Sequence, residues 1–205
     1  MIDPVTLLTF VPAALVLNLT PGADMMFCLG QGLRAGARPA MAASAGVSVG
    51  GMIHVTLAGL GLGAVVAAVP WAFDLIRWVG VAYLLYLAAG AVRNRTRPIG
   101  ADPMTAKRAF RSGLYVNLTN PKVILFVLAF LPQFVDPAKG PVLAQFLILG
   151  AILSLGGFVV NAGVGFFAGG AGRMLTGSLL ARRILGWVSG TIFAGLALRL
   201  AIVER

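Results

Sequence analysis

The sequence "NLTNPK" occupies residues 117–122 and places polar, helix-breaking residues at the start of an apolar run. From Val123 to Val135 the only polar side chain of that run is Gln133. A similar phrase, "NLTPG", stands at residues 18–22 inside another apolar region. Because proline lacks an N–H and clashes with the preceding helical turn, each phrase predicts a break inside a helix.

The composition around these phrases is that of a membrane protein. Of the 205 residues, 59% are hydrophobic and 11% are charged, whereas soluble domains carry about 25% charged residues. A run of about 20 apolar residues crosses the hydrocarbon core of a bilayer. Three uncharged stretches, residues 4–23, 39–73 and 140–172, are at least this long, and two shorter ones cover residues 78–92 and 184–198. We therefore predict an all-α membrane protein that crosses the lipid bilayer several times.

Charge and cysteine content exclude several other classes of protein. The net charge is +10, but the basic residues lie between the apolar stretches, as the positive-inside rule predicts, and so do not indicate nucleic-acid binding. The single cysteine, Cys28, rules out an intramolecular disulfide and a two-thiol relay. Scattered Asp residues and one His supply no metal site, and we predict no cofactor. Asp3 is the only charge before Asp24, so we expect the first span to be retained rather than cleaved as a signal peptide.

The apolar stretches predict six spans, near residues 5–28, 40–69, 72–92, 112–134, 141–171 and 183–203. A polar linker, residues 93–111, separates a first half, 1–92, from a second half, 112–205. Three motifs recur in the same order in both halves: the two "NLT" phrases, "VGGMIH" at 49–54 with "LGGFVV" at 155–160, and "RWVGVAYLLYLAAG" at 77–90 with "GWVSGTIFAGLAL" at 186–198. This order indicates an internal repeat.

The number of spans in each half predicts how the halves are oriented. Three is odd, so the second half enters the membrane from the opposite side, which gives two inverted-topology three-helix repeats with broken first and fourth helices. A cytoplasmic linker 93–111 places most of the 16 basic residues inside the cell and both termini outside. A five-span arrangement remains an alternative.

Two charged residues, Asp24 and Lys122, lie well inside the apolar runs. A charge at the bilayer centre costs about 2.5–3.5 kcal/mol, so such residues face a partner or a water-filled cavity. Asp24 precedes Arg34 by ten residues and Lys122 follows Arg111 by eleven, which predicts similar depths. Asp24 could hold the α-ammonium and Lys122 the α-carboxylate of a zwitterion. The alternative is a structural ion pair between the two.

Further polar and breaking residues complete the predicted site. Amides and a hydroxyl would line it, at Asn18, Thr20, Asn117 and Asn120, and the breaks would come from Pro21, Gly22 and Pro121. The only histidine, His54, and Asn161 are candidates for a proton relay. Hydrogen bonds between packed helices are the alternative role for both.

Four blocks resemble the LysE/RhtB family of bacterial amino-acid exporters: "NLTPGADMMFCLGQGLRAG", "GVSVGGMIHV", "WVGVAYLLYLAAGAVR" and "FRSGLYVNLTNPKVILFVLAFLPQFV". The resemblance implies a bacterial inner-membrane protein that expels amino acids or related metabolites, driven by the proton gradient. The family's Asn-Pro-Lys falls on Asn120, Pro121 and Lys122, and its histidine on His54. Its Pro-Gly-Pro-Asp stands here as Pro-Gly-Ala-Asp, which loses the second proline and retains Asp24.

The predicted function is that of a secondary transporter, not an enzyme, that exports amino acids or small zwitterionic metabolites in exchange for protons. A passive channel is the first alternative. An intramembrane enzyme or redox carrier is the second, and the lone cysteine and the lack of an acid–base cluster argue against it. The predicted partners are an amino acid, protons and the lipid bilayer, with no nucleic acid, and self-association into a homo-oligomer is left open.

Overall fold

The computed structural model describes residues 2–68 and 104–168, together with isolated positions between 78 and 89 and between 187 and 198. In these ranges the chain is helical and contains no strand. The six α-helices are α1 (Pro4–Leu19), α2 (Ala23–Ala35), α3 (Ala37–Ala68), α4 (Ala106–Leu118), α5 (Pro121–Leu125) and α6 (Val142–Phe167). The predicted third and sixth spans, 72–92 and 183–203, and linker residues 93–103 lie outside the described residues.

The first predicted break lies between α1 and α2, whose axes differ by 52°. The backbone N–H and the hydroxyl of Thr20 both donate to the Val16 carbonyl, at 2.9 Å and 2.7 Å. The side chain thus closes the last turn of α1, and Pro21, which has no N–H to donate, follows at once. Helix formation resumes at Ala23, after Gly22 as the N-cap residue.

The second predicted break is built in the same way. The N–H and hydroxyl of Thr119 donate to the Tyr115 carbonyl at 3.1 Å and 2.9 Å, and the chain bends by 51°. Asn120 then caps α5 by accepting the N–H of Lys122 at 3.0 Å. After α5 the chain continues as a π-helical turn, Phe126–Phe130, and a 3₁₀ turn, Leu131–Phe134.

Two helices, α3 and α6, are long and apolar enough to cross a membrane by themselves, and each bent pair adds one more crossing if it counts as a single span. These four candidates correspond to the predicted spans 5–28, 40–69, 112–134 and 141–171. The helix α4 begins at Ala106, because Thr105 caps it. Residues 106–111 of the predicted linker are therefore helical.

Glycines allow the helix backbones to touch. A Cβ atom on Gly46 of α3 would overlap the Phe110 carbonyl of α4, and one on Gly113 of α4 would overlap the Ala43 carbonyl of α3. The same holds for Gly32 of α2 against the backbone of α6. Such close approaches are how helices associate in lipid, where the hydrophobic effect does not drive them together.

A cluster of phenylalanines holds α1 against the segment that follows the second break. The ring centroids of Phe10 and Phe134 are 5.2 Å apart, those of Phe130 and Phe134 5.0 Å, and those of Phe126 and Phe130 4.7 Å. All four rings are buried. Aromatic pairs at these distances stabilise by about 0.5–1.5 kcal/mol beyond the area that they bury.

The repeated motifs contact each other across the two halves. Asn18 of α1 packs on Gly156 and Gly157 of α6, and Asn117 of α4 packs on Gly50 of α3. Each asparagine belongs to an "NLT" phrase, and each glycine belongs to the "VGG" or "LGG" motif of the other half. The packing is therefore reciprocal.

Hydrogen bonds attach the turn before α6 to that helix, and an ion pair attaches it to the N-terminus. The buried Gln145 amide donates to the carbonyls of Asp136 and Gly140 at 2.8 Å and 3.0 Å, and its oxygen accepts the Asp136 N–H at 3.0 Å. Gly140 has a φ of 138°, which a side chain would strain. Lys139 forms an ion pair of 2.6 Å with Asp3, the residue that caps α1.

Candidate substrate site

A cavity of about 40 Å³ lies where the two breaks, α3 and α6 meet. Four of the predicted site residues line it: Asn18, Asp24, Asn117 and Asn161. The other lining residues are Leu17, Val47, Ser48, Gly51, Val123, Leu153, Ser154 and Gly157. The other predicted residues do not line it: Thr20, Pro21, Gly22, His54, Asn120, Pro121 and Lys122.

Asp24 is the charged residue of the cavity. It lies in the first turn of α2, is buried with 8% of its surface exposed, and faces the positive end of the helix dipole. Its Oδ2 accepts a hydrogen bond from Asn117 Nδ2 at 2.9 Å, whereas its Oδ1 has no partner in the described part of the chain. One carboxylate oxygen is thus held by Asn117, and the Asn120 side chain also lies close enough to interact with the carboxylate.

Asn117 connects Asp24 to the histidine. Its backbone carbonyl accepts a hydrogen bond from His54 Nε2 at 3.3 Å. Since a carbonyl oxygen can only accept, this ring nitrogen carries the proton. The same carbonyl also accepts the Asn120 N–H at 2.9 Å, and its second lone pair is available to the histidine. A path of contacts therefore runs from His54 through Asn117 to Asp24.

The opposite wall of the cavity comes from α1, α3 and α6. Asn18 Nδ2 donates to the Leu153 carbonyl at 3.0 Å, and Ser48 Oγ donates to the Ser154 carbonyl at 3.0 Å. Both serines were missed in the sequence analysis. A longer alignment of the repeat finds them, because Ser48 precedes "VGG" and Ser154 precedes "LGG".

Lys122 does not pair with Asp24, although the two lie within electrostatic range. Its Nζ donates to the carbonyls of Leu17 and Thr20, at 3.1 Å and 3.0 Å. The structural ion pair considered as an alternative is therefore wrong for this conformation. The physical reason is that the end of α1 leaves carbonyls without intrahelical partners, and the ammonium group satisfies two of them.

The cavity is too small to hold an amino acid. About 10–15 Å³ of such volume holds one water molecule, so about 40 Å³ accommodates waters but no amino acid. A ligand of that size requires the helices to part.

Several polar atoms around the cavity lack a hydrogen-bond partner. Four buried atoms in or next to the cavity have no hydrogen-bond partner of good geometry among the residues that the structure describes, although Asn120 lies close enough to interact with the Asp24 carboxylate: Asp24 Oδ1, Asn117 Oδ1, Asn120 Nδ2 and Ser154 Oγ. Unpaired buried polar atoms are rare in proteins because each costs about 1–3 kcal/mol. Four of them around one cavity indicate a site for a polar ligand. No group of three or more His, Cys, Asp or Glu in the described ranges could hold a metal ion.

Comparisons with known proteins agree with a transport role. The family model described as LysE type translocator matches residues 15–204. An uncharacterized membrane protein of Vibrio cholerae is 33% identical over 96% of this chain and 97% of its own length. The homoserine/homoserine lactone efflux protein of Salmonella typhimurium is 36% identical over 85% of this chain and 80% of its own.

A third relative is the leucine efflux protein of an Enterobacter species, which is 30% identical over 94% of this chain and 93% of its own. No solved structure matches the chain.

Proposed function

The chain belongs to the LysE family of translocators, whose members are efflux transporters and not enzymes, and from this premise we propose a specific transport mechanism. The protein is a secondary transporter that exports amino acids or related small zwitterionic metabolites across the bacterial inner membrane. The observation that carries the proposal is the buried Asp24 carboxylate, which lines a polar cavity between two helix breaks. The relatives named for homoserine and leucine efflux support amino acids as the substrate class.

The free polar atoms supply the contacts that an amino acid requires. The Asp24 Oδ1 and Asn117 Oδ1 atoms accept hydrogen bonds from the α-ammonium group, and Asn120 Nδ2 donates to the α-carboxylate. Asn18 and Asn161 then contact the side chain of the substrate. When the halves part, the Lys122 ammonium group leaves the carbonyls at the end of α1 and binds the substrate carboxylate. Lys122 is then the positively charged contact of the substrate.

Alternating access follows from the proposed pair of inverted repeats, residues 1–92 and 112–205. The nearly equal bends of 52° and 51° support the repeat, and so does the reciprocal packing of Asn18 and Asn117 on the glycines of the other half. Inverted repeats place a substrate site at broken helices between the two halves. In this proposal the linker 93–111 is cytoplasmic and the full chain crosses the membrane six times.

Proton coupling would use Asp24 as the group that binds the proton, with His54 held beside the site by the Asn117 carbonyl. Histidine exchanges protons near neutral pH, and among the described residues Asp24 is the carboxylate that lines the cavity. A proton on Asp24 removes the charge that holds the substrate ammonium. Binding of a proton and binding of substrate then exclude each other, as an exchanger requires.

Efflux from proteoliposomes tests the function. Vesicles loaded with a panel of amino acids, including homoserine, leucine and lysine, should lose some of them faster when a pH gradient is imposed. Asp24→Asn should slow this efflux at least tenfold, whereas Asp136→Asn, a carboxylate on the turn before α6, should not.

Two outcomes of this experiment would replace the proposal. Flux that neither saturates nor responds to the gradient indicates the passive channel. Chemical conversion of an amino acid inside the vesicles indicates an enzyme.

A further inference from the structure

The end of α1 is a binding place for a cation. A helix leaves its last carbonyls without intrahelical partners and carries negative partial charge at this end. The Val16 carbonyl is satisfied by Thr20, but those of Leu17 and Thr20 accept from Lys122, which belongs to the other half of the chain. Two of the three donors of an ammonium group are thereby used.

The space for this cation comes from Gly22. A Cβ atom at this position would lie 3.1 Å from Lys122 Nζ and 3.4 Å from its Cε. The backbone of Gly22 is extended, with φ −152° and ψ −170°, which any residue adopts. Backbone conformation therefore does not require glycine here, but a side chain at this position would press on the lysine ammonium group.

Gly22 and Lys122 follow the proline of the first and of the second break, respectively. They occupy equivalent places in the two phrases and contact each other. The chain thus has a long cationic side chain at position 122 and no side chain at position 22.

Other transporters with broken helices bind a free cation at unwound carbonyls and at the C-terminal ends of half-helices. We propose that the Leu17 and Thr20 carbonyls, with the Asp24 charge nearby, form a site for a primary ammonium group, and that Lys122 fills it as a tethered cation. A small free alkylammonium ion enters the same site when the lysine side chain is removed. This inference concerns the break itself and stands whether or not the exported solute is an amino acid.

The probe is methylammonium, applied to the purified full-length Lys122→Ala protein in detergent. This ion has three N–H donors, and the truncated side chain leaves room for it beside Gly22. It should raise the melting temperature of the variant by about 2–4 °C. It should leave the wild-type protein unchanged, because Lys122 already occupies the site.

Three controls make the result specific. Tetramethylammonium, at the same ionic strength, has no N–H donors and should give no shift. Sodium should give a smaller shift than methylammonium, because it lacks donors directed at the two carbonyls. Lys107→Ala, which removes an exposed lysine of α4, should not respond to methylammonium.

The proposal is overturned if methylammonium fails to stabilise Lys122→Ala, or if it stabilises the wild type or Lys107→Ala equally. An equal shift from sodium also overturns it, since the site would then recognise charge alone. Efflux of amino acids by the wild type together with no methylammonium effect would separate this failure from the proposed function.

A second variant covers the case in which Lys122→Ala does not fold. Gly22→Val keeps the lysine but fills the space through which Nζ reaches the carbonyls. It should lower the melting temperature by about 2–4 °C and should not recover with methylammonium. Gly163→Ala is the matched control, because a Cβ at Gly163 meets no atom within 4 Å. An unchanged melting temperature in Gly22→Val rejects the site.

Discussion

Asn117 Nδ2 donates to Asp24 Oδ2 at 2.9 Å, so the residue that opens the second "NLT" phrase holds the carboxylate that follows the first. The two residues are 93 positions apart in the sequence. Asn117 also packs on Gly50 of α3 and accepts from His54. It thereby connects both breaks, one long helix and the histidine.

Removing the Asn117 amide should impair transport more than any other single amide change. Asn117→Ala leaves Asp24 Oδ2 buried without its donor, and a hydrogen bond to a charged group is worth about 1.5–3 kcal/mol. We expect substrate efflux from proteoliposomes to fall by about 10- to 100-fold. Thr119→Val, which removes an exposed hydroxyl from the same break, serves as the control. Equal rates in the wild type and Asn117→Ala would contradict the role of this amide.

Ser154→Ala should weaken substrate binding without lowering the stability of the protein. The Ser154 hydroxyl is buried without a partner in the described part of the chain, so its removal relieves a desolvation cost. The melting temperature should stay the same or rise, while the substrate concentration for half-maximal efflux increases. Ser44→Ala is the comparison, because the Ser44 hydroxyl donates to Phe158 O at 2.9 Å and its loss should destabilise. A lower melting temperature in Ser154→Ala would contradict this prediction.

The contacts between α3 and α4 predict two intolerant glycines. Gly46→Ala and Gly113→Ala each add a methyl group that overlaps a carbonyl of the facing helix. Overpacking of this kind costs about 1–3 kcal/mol, which lowers the melting temperature by about 2–12 °C.

The matched controls are Gly61→Ala and Gly163→Ala, where a Cβ meets no atom within 4 Å and alanine favours the helix. Detergent melting curves of all four variants provide the measurement. If the four behave alike, the backbones of α3 and α4 are not in contact.

His54→Gln should uncouple transport from the pH gradient. The glutamine amide can still donate to the Asn117 carbonyl, but it does not exchange protons near neutral pH. We expect efflux to continue down a substrate gradient and to lose its acceleration by an imposed pH gradient. The rate with and without the gradient, measured in the same vesicles, is the readout. Retained acceleration would exclude His54 from the proton path.

The N-terminal ion pair predicts a specific pH dependence of stability. The hydrogen bond from Lys139 holds the pKa of the Asp3 carboxyl well below its usual range, and the N–H of Thr6 adds to this. Because the folded-state pKa is depressed, the contribution to stability is complete above the unfolded pKa of about 3.9. It is lost as the pH falls below that value.

Asp3→Asn should therefore lower the melting temperature at pH 5–7 and lose its effect in acid. High salt should reduce the difference, because both side chains are exposed. The test is a comparison of melting curves across pH for the wild type and Asp3→Asn. A difference that persists unchanged at acid pH would contradict the ion pair.

The sequence analysis predicted the helical class, the two breaks and the family, and each has a local physical origin. Apolar runs without charge specify membrane helices, and proline specifies a break wherever it stands. The structure confirms a break after each "NLT" phrase, with nearly the same bend, and the match over residues 15–204 confirms the LysE/RhtB resemblance. The predicted inverted topology and the roles of the site residues stay predictions.

Side-chain partners were less predictable. Their similar predicted depth in the membrane suggested that Asp24 and Lys122 form a pair. In the structure each of them hydrogen-bonds to other groups instead. The carbonyls at the end of α1 compete for the ammonium, and the Asn117 amide takes one oxygen of the carboxylate. Ser48 and Ser154 were missed, because each stands directly before the "VGG" or "LGG" motif, outside the matched residues.

Hydrophobicity and proline are properties of single residues and their neighbours, so the sequence by itself determined that this chain enters the membrane as helices and where two of them break. The choice of partner for each polar group depends on which carbonyls and amides lie within about 3 Å once the helices pack. Only the tertiary structure decided that Asn117 would hold Asp24 and that Lys122 would cap the other half.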